Sequence, residues 1–329
     1  MLPACAQLPS AVSDTAEISN QPSLRGLSRV DALQAWVSGS GGAVARSADG
    51  GLSWQQLAIP ETAELDFRDL HAFGWDEAVL MSAGPGEASR LYRTENAGKN
   101  WQQVAINQAP DGFWDGIAFW NDRHGLLVGD PVDGSLTIMY TGDGGHSWVI
   151  VPASQAPAAL EGEYAFAASG TSVAVQPGGL AWIATGGAAA RVFMSTDYGQ
   201  SWTAVATPVP AGSDGAGIFS IAFRDPLHGV VVGGDYLAPD KRAKIAAYSE
   251  DGGRSWNAVT AGFEPGGYRS GLSWAPSMKA WIAVGPEGAD FSTDDGRTWS
   301  PLPSSGFHSV DQEWVSGGRG RVGRVTSED

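Results

Sequence analysis

The chain has 329 residues with 36 acidic against 20 basic side chains, a formal net charge of -16 and no run of lysine or arginine. Nucleic acid and anionic lipid surfaces repel such a chain, which sets both aside as partners of the protein body. Forty-five glycines and fourteen tryptophans beside only 17% charged residues suit many short buried strands joined by tight turns, so the composition leans all-β.

At the N-terminus, "LPAC" at residues 2–5 has the Leu-x-x-Cys form of a bacterial lipoprotein processing site and is followed by a polar stretch rich in Ser and Ala. Residues 1–22 are expected to form a flexible segment, with Cys5 as a possible lipid tether that would place the protein in the periplasm or elsewhere outside the cytoplasm. Cys5 is the one cysteine, so no internal disulfide can form. No stretch reaches the ~18 apolar residues that a bilayer-spanning helix needs.

From Leu24 onward one unit repeats. An octet of the form S/T-x-D/N-x-G-x-S/T/N-W occurs as "SADGGLSW" from Ser47, "TENAGKNW" from Thr94, "TGDGGHSW" from Thr141, "STDYGQSW" from Ser195, "SEDGGRSW" from Ser249 and "STDDGRTW" from Ser292, at intervals of 43 to 54 residues. Before each octet come three short apolar strands and after it a fourth, as in "FRDLHAF", "EAVLMS", "RLYRT" and "WQQVAI". Four antiparallel strands per unit match a β-propeller blade, and no 3.6-residue periodicity competes with that reading.

Six octets mark six blades. The tail from Phe307 repeats the "WVSG" frame of the first unit but stops after three strands. The N-terminal "DTAEISN" can supply the missing outer strand, so residues 23–329 are expected to form one seven-bladed propeller closed by pairing its two chain ends, with six blades as the alternative.

Each octet accounts for itself as a turn. Asp49, Asn96, Asp143, Asp197, Asp251 and Asp294 can accept hydrogen bonds from their own backbone, the following glycines tolerate positive φ, and each terminal tryptophan can bury ~150–250 Å². One acid per loop is too few for calcium, so no metal is expected there.

These octets resemble the Asp-box of sialidases and bacterial-neuraminidase-type repeats. With "GLLVGDPVDG", "AFAASGTS", "ATGGAAARVFMSTDYGQSW" and "FRDPLHGVVVGGDY", the chain from Leu24 to Val325 is similar to bacterial proteins related to the plant photosystem II stability and assembly factor, a seven-bladed Asp-box propeller family. That resemblance implies a non-catalytic binding or assembly scaffold. The Asp-box is shared by proteins of very different activity and specifies fold far better than function.

Topology puts the octets on one face and the starts of the first strands, with the second-to-third turns, on the other. Residues from every blade converge at the channel mouth on that second face. The candidates for ligand binding are Arg25, Arg68, Trp114, Asp130, Phe219, Asp235 and Arg269, and those for catalysis are Tyr268, Glu163, Asp69, Asp115 and His308. Arginine forks hold carboxylates and aromatic faces stack on rings, which suits a protein partner or a small acidic ligand. The structural alternative is that these arginines and acids cancel one another as a plug.

A second reading is a glycoside hydrolase or lyase on acidic carbohydrate. Arg25, Arg68 and Arg269 would hold the carboxylate, Tyr268 with Glu163 would supply the nucleophile, and Asp69 or Asp115 the proton. "LRGLS" stands where sialidases carry Arg-Ile-Pro. A redox enzyme is disfavoured, because no dinucleotide fingerprint or His/Cys cluster is present and no cofactor is expected.

Overall fold

The computed structural model describes residues 7–241 and 244–327. Cys5 and its "LPAC" stretch lie outside the described residues. Seven antiparallel sheets form a seven-bladed propeller, with innermost strands Leu24–Arg29, Phe67–Ala72, Trp114–Phe119, Val173–Gln176, Ala216–Phe223, Gly271–Ala275 and Ser309–Asp311 for blades 1 to 7. Among the described residues only two single 3-10 turns, Gly86–Ala88 and Gly318–Gly320, interrupt the strands.

Blade 2 shows how sequence becomes sheet. Phe67–Ala72, Ala78–Ser82, Arg90–Thr94 and Gln102–Ile106 follow one another outward, and burial falls from complete in the second strand to slight in the outer one. The second strand is covered on both faces by neighbouring blades and therefore reads as an unbroken apolar run. Core clusters lie between adjacent sheets: Trp36, Phe67, Leu70 and Leu80 join blades 1 and 2, while Val230, Val232, Leu272 and Trp281 join blades 5 and 6. Each such side chain contributes roughly 1.5–3 kcal/mol relative to exposure.

The ring closes through its two chain ends. Pro9–Glu17 is the outer strand of blade 7 and runs antiparallel to Arg321–Ser327, with Val12 opposite Val325. That expectation holds, and the blade count is seven.

The octets are self-contained turns. Ser47 Oγ donates to Asp49 Oδ1 at 2.9 Å and accepts from the Gly51 amide at 3.0 Å, while the Ser53 amide and hydroxyl donate to the two Asp49 oxygens at 2.9 and 2.6 Å. The same bonds recur around Asp143, Asp197, Asp251 and Asp294. The Ser53 hydroxyl and amide, then Ser47, hold the Asp49 carboxyl down at about 2. At Asp143 slight burial pushes upward, but the Ser147 hydroxyl and amide outweigh it and the value again is about 2.

The octet tryptophans bury less than the sequence suggests. Trp54, Trp101, Trp148, Trp202 and Trp256 are half-buried, and only Trp299 is fully enclosed. Four octet indoles donate to their own octet glycine carbonyl, as Trp54 does to Gly51 at 3.2 Å. The deepest tryptophans include Trp36, Trp182, Trp281 and Trp314, all in second strands.

Candidate functional site

Four of the seven innermost strands carry a β-bulge near the start, where one extra residue interrupts the pairing. The extra residues are Arg25 between Leu24 and Gly26, Arg68 between Phe67 and Asp69, Asp115 between Trp114 and Gly116, and Phe219 between Ile218 and Ser220. A bulge re-aims a side chain that strict alternation would bury between sheets. All four line one cavity of about 850 Å³ on the face opposite the octets, joined by Asp130, Tyr164, Phe166, Tyr236, Tyr268, Glu287 and His308.

The floor of this bowl is a segment that crosses the axis. Residues 165–171 leave the sheet ahead of blade 4, and their contacts reach five other blades. Arg25 Nη1 donates to the Ala168 carbonyl at 2.9 Å, Arg68 Nη1 to Ala167 at 3.4 Å, and the Ala165 amide to Asp130 Oδ1 at 3.2 Å. Ser169 Oγ donates to the Ser270 carbonyl at 2.6 Å, and the Ile221 amide donates to the Thr171 carbonyl at 2.8 Å. Gly170 sits at φ 72°, and a Cβ there would fall 2.1 Å from Asp69 Oδ1. Only glycine combines that conformation with so close an approach.

This segment corrects the alignment of blade 4. Glu163–Tyr164 is not its innermost strand but a two-residue strand pairing with Gly186–Gly187, which joins the sheet of blade 5. The true innermost strand begins at Val173. A signal was present in the sequence: the interval from the Thr141 octet to the Ser195 octet is longer than the two before it, and "AFAASGTS" is a run of small residues that can pass along a crowded axis.

Two walls face each other across the bowl. On the blade 5 side Phe166 and Phe219 stack at 3.8 Å, Tyr268 meets Phe219 edge-on at 4.8 Å, and Tyr236 approaches at 6.2 Å. On the blade 1 and 2 side stand the guanidinium groups of Arg25 and Arg68. Arg68 Nε pairs with Asp66 at 2.8 Å. Arg25 pairs with no carboxylate among the described residues, and burial, then the neighbouring Arg68 charge, lowers its pKa.

Between the walls, burial is the largest influence on Asp115, Asp130, His308 and Tyr268. Asp115 is raised well above the usual carboxylate range by burial and then by the Asp130 charge to which it hydrogen-bonds; Asp130 is raised by burial to about 6. Burial, with the positive charges of Arg25 and Arg321, lowers His308 to about 4, so its imidazole is neutral. Burial also pushes the Tyr268 hydroxyl upward.

The remaining candidates lie elsewhere. Arg269 is buried and gives Nε and Nη2 to Asp290 at 2.7 and 2.5 Å, so the three arginines do not converge. Glu163 is enclosed by Arg191 and the Thr185 hydroxyl, away from Tyr268. Asp69 accepts the Leu70 and Ile117 amides at 2.8 and 2.7 Å and pins blade 2 to blade 3. Trp114, one residue from Asp115, points the other way into the core with Val79 and Met81. Asp235 caps a turn by accepting the Leu237 amide at 3.0 Å. Among the described residues no group of His, Cys, Asp and Glu could hold a metal ion.

No protein-family profile matches the sequence, and no curated protein matches it. Among solved structures the fold is similar to "YCF48 bound to D1 peptide", at 15% identity and a TM-score of 0.64 over 98% of both chains. It is similar to YCF48 from Cyanidioschyzon merolae at 18% identity and 0.62, over 96% of this chain and 98% of that one. It is also similar to a GH74 xyloglucanase from Xanthomonas campestris at 16% identity and 0.56, over 86% of this chain and 48% of that one. At such identities the likeness is one of fold.

Proposed function

We propose that this propeller is a non-catalytic scaffold that receives a segment of a partner protein, with an acidic group on it, in the bowl opposite the octets. One observation carries the reading: Arg25 stands in a cavity without a carboxylate partner, across from a stacked aromatic wall. A half-buried cation with open donors favours an incoming anion, because the cost of its partial desolvation has already been met by the fold. The peptide held by one similar propeller, YCF48, supports a polypeptide as the occupant. A lipid on Cys5 would hold the scaffold at a membrane surface outside the cytoplasm.

The test is site-specific crosslinking in cells. A photo-crosslinking residue at Tyr236, on the bowl rim, is expected to capture a discrete protein partner, whereas one at Leu52, exposed within an octet, captures none. Equal capture at both positions, or at neither, overturns the proposal.

The alternative, hydrolysis or elimination on acidic carbohydrate, draws on the neighbouring carboxyls of Asp115 and Asp130, both raised by burial. Turnover of acidic glycans that is lost in Asp115→Asn would establish it. Against it stand a Tyr268 hydroxyl pushed away from ionisation and a Glu163 committed to Arg191.

A further inference from the structure

Apart from the buried Asp115–Asp130 pair of blade 3, the charges lining the bowl are set along one diameter. Its two guanidinium groups, Arg25 and Arg68, come from blades 1 and 2. In a ring of seven, blade 5 lies opposite the junction of those two. Asp214, in the segment leading into blade 5, lines the bowl there, and Glu287 lines it from blade 6. Both side chains are exposed, and neither pairs with a cation among the described residues. The hydroxyl of Tyr164 fixes this part of the rim by donating to the Asp214 backbone carbonyl at 2.6 Å. The Phe166–Phe219 stack stands on the same blade 5 side.

We infer that the occupant is dipolar: a segment with one carboxylate for Arg25 and Arg68, an aromatic body over Phe166 and Phe219, and an ammonium or guanidinium group for Asp214 and Glu287. This rests on the proposal that the bowl binds a polypeptide. A purely acidic segment would set its second charge against Asp214 and Glu287 in a protein already carrying -16, and like charges across an interface reject a wrong partner. A purely basic segment would meet Arg25 and Arg68. A cavity of about 850 Å³ has room for a few residues rather than a folded domain.

The experiment uses four end-capped, fluorescently labelled tetrapeptides sharing a central Phe-Phe: Lys-Phe-Phe-Glu, Glu-Phe-Phe-Glu, Lys-Phe-Phe-Lys and Gln-Phe-Phe-Glu. Anisotropy titrations with the full chain are expected to rank the dipolar peptide first. Asp214→Asn is expected to weaken it about three- to fivefold while leaving Gln-Phe-Phe-Glu unchanged, as suits a solvent-exposed ion pair. If Glu-Phe-Phe-Glu binds as tightly as the dipolar peptide, or Asp214→Asn leaves the dipolar peptide unaffected, the dipole is overturned and the binding site stands. If none of the four binds, both the dipole and the binding reading fall.

Discussion

The two faces of the ring use the same residue, aspartate, in opposite ways. On the octet face Asp49 and Asp143 are held at about 2 by hydroxyl and amide donors supplied within four residues, and each turn would look the same in any blade. At the channel Asp69, Asp115 and Asp130 are pushed upward by burial, and Asp69 and Asp130 each accept an amide from outside their own blade, from Ile117 and Ala165. A local carboxylate completes a turn, whereas a carboxylate satisfied at long range ties the ring together and shapes its cavity.

The sharpest way to break this contrast is Asp69→Ala, which strands two buried amides in different blades. A loss of about 2–6 kcal/mol is expected in chemical denaturation, at ~1–3 kcal/mol per unsatisfied group. Arg25→Ala comes next. Once a ligand is in hand it should weaken binding by roughly tenfold or more, about 1.4 kcal/mol, in a calorimetric titration, with the melting temperature little changed. On the other face Asp294→Ala removes the acceptor for the Thr298 amide and hydroxyl and should cost about 1 kcal/mol of stability with no change in affinity.

The smallest effect separates the two sets by pH. Asp130 is raised in the folded state, so its contribution to stability is full below 3.8 and is lost as pH rises through about 6. Asp143 is depressed, so its contribution is present above 3.8 and is lost as pH falls through about 2. In the bowl, protonating Asp130 removes a negative charge near Arg68 and Arg25, while His308 stays neutral down to about 4. Affinity for an anionic ligand should therefore rise a few-fold from pH 7 to pH 5, as Coulomb terms in a partly wet site allow. Asp130→Asn should flatten that rise; a slope that persists in the variant would point to a different titrating group.

The same division decides how much could be read from the sequence. The octets are legible because every bond in them spans at most four residues, and their six copies mark six of the seven blades. Arg25, Arg68, Asp130, Phe219, Tyr268 and His308 were placed at the mouth by topology, and all six line the bowl. Trp114 and Asp115 differ by one position, and only the bulge between Trp114 and Gly116 decides which of them faces the axis. Arg269 finds Asp290 across 21 residues of chain, a pairing that no local pattern announces. The floor segment displaced an entire innermost strand, and its traces were a longer repeat interval and a run of small residues.

The pairing of Pro9–Glu17 with Arg321–Ser327 also sets the order of events during synthesis. In chain order the first strand of the propeller belongs to its last blade, so it must wait with its edge unsatisfied until Arg321–Ser327 has been made. Six blades can condense in sequence behind it, but the seventh cannot. Contacts of such separation are the slowest a domain makes, and an open strand edge attracts other chains. Dilution or a chaperone should raise the folded yield chiefly at this last step. A circular permutant opened at an octet turn, with residues 327 and 9 bridged, should remove the wait.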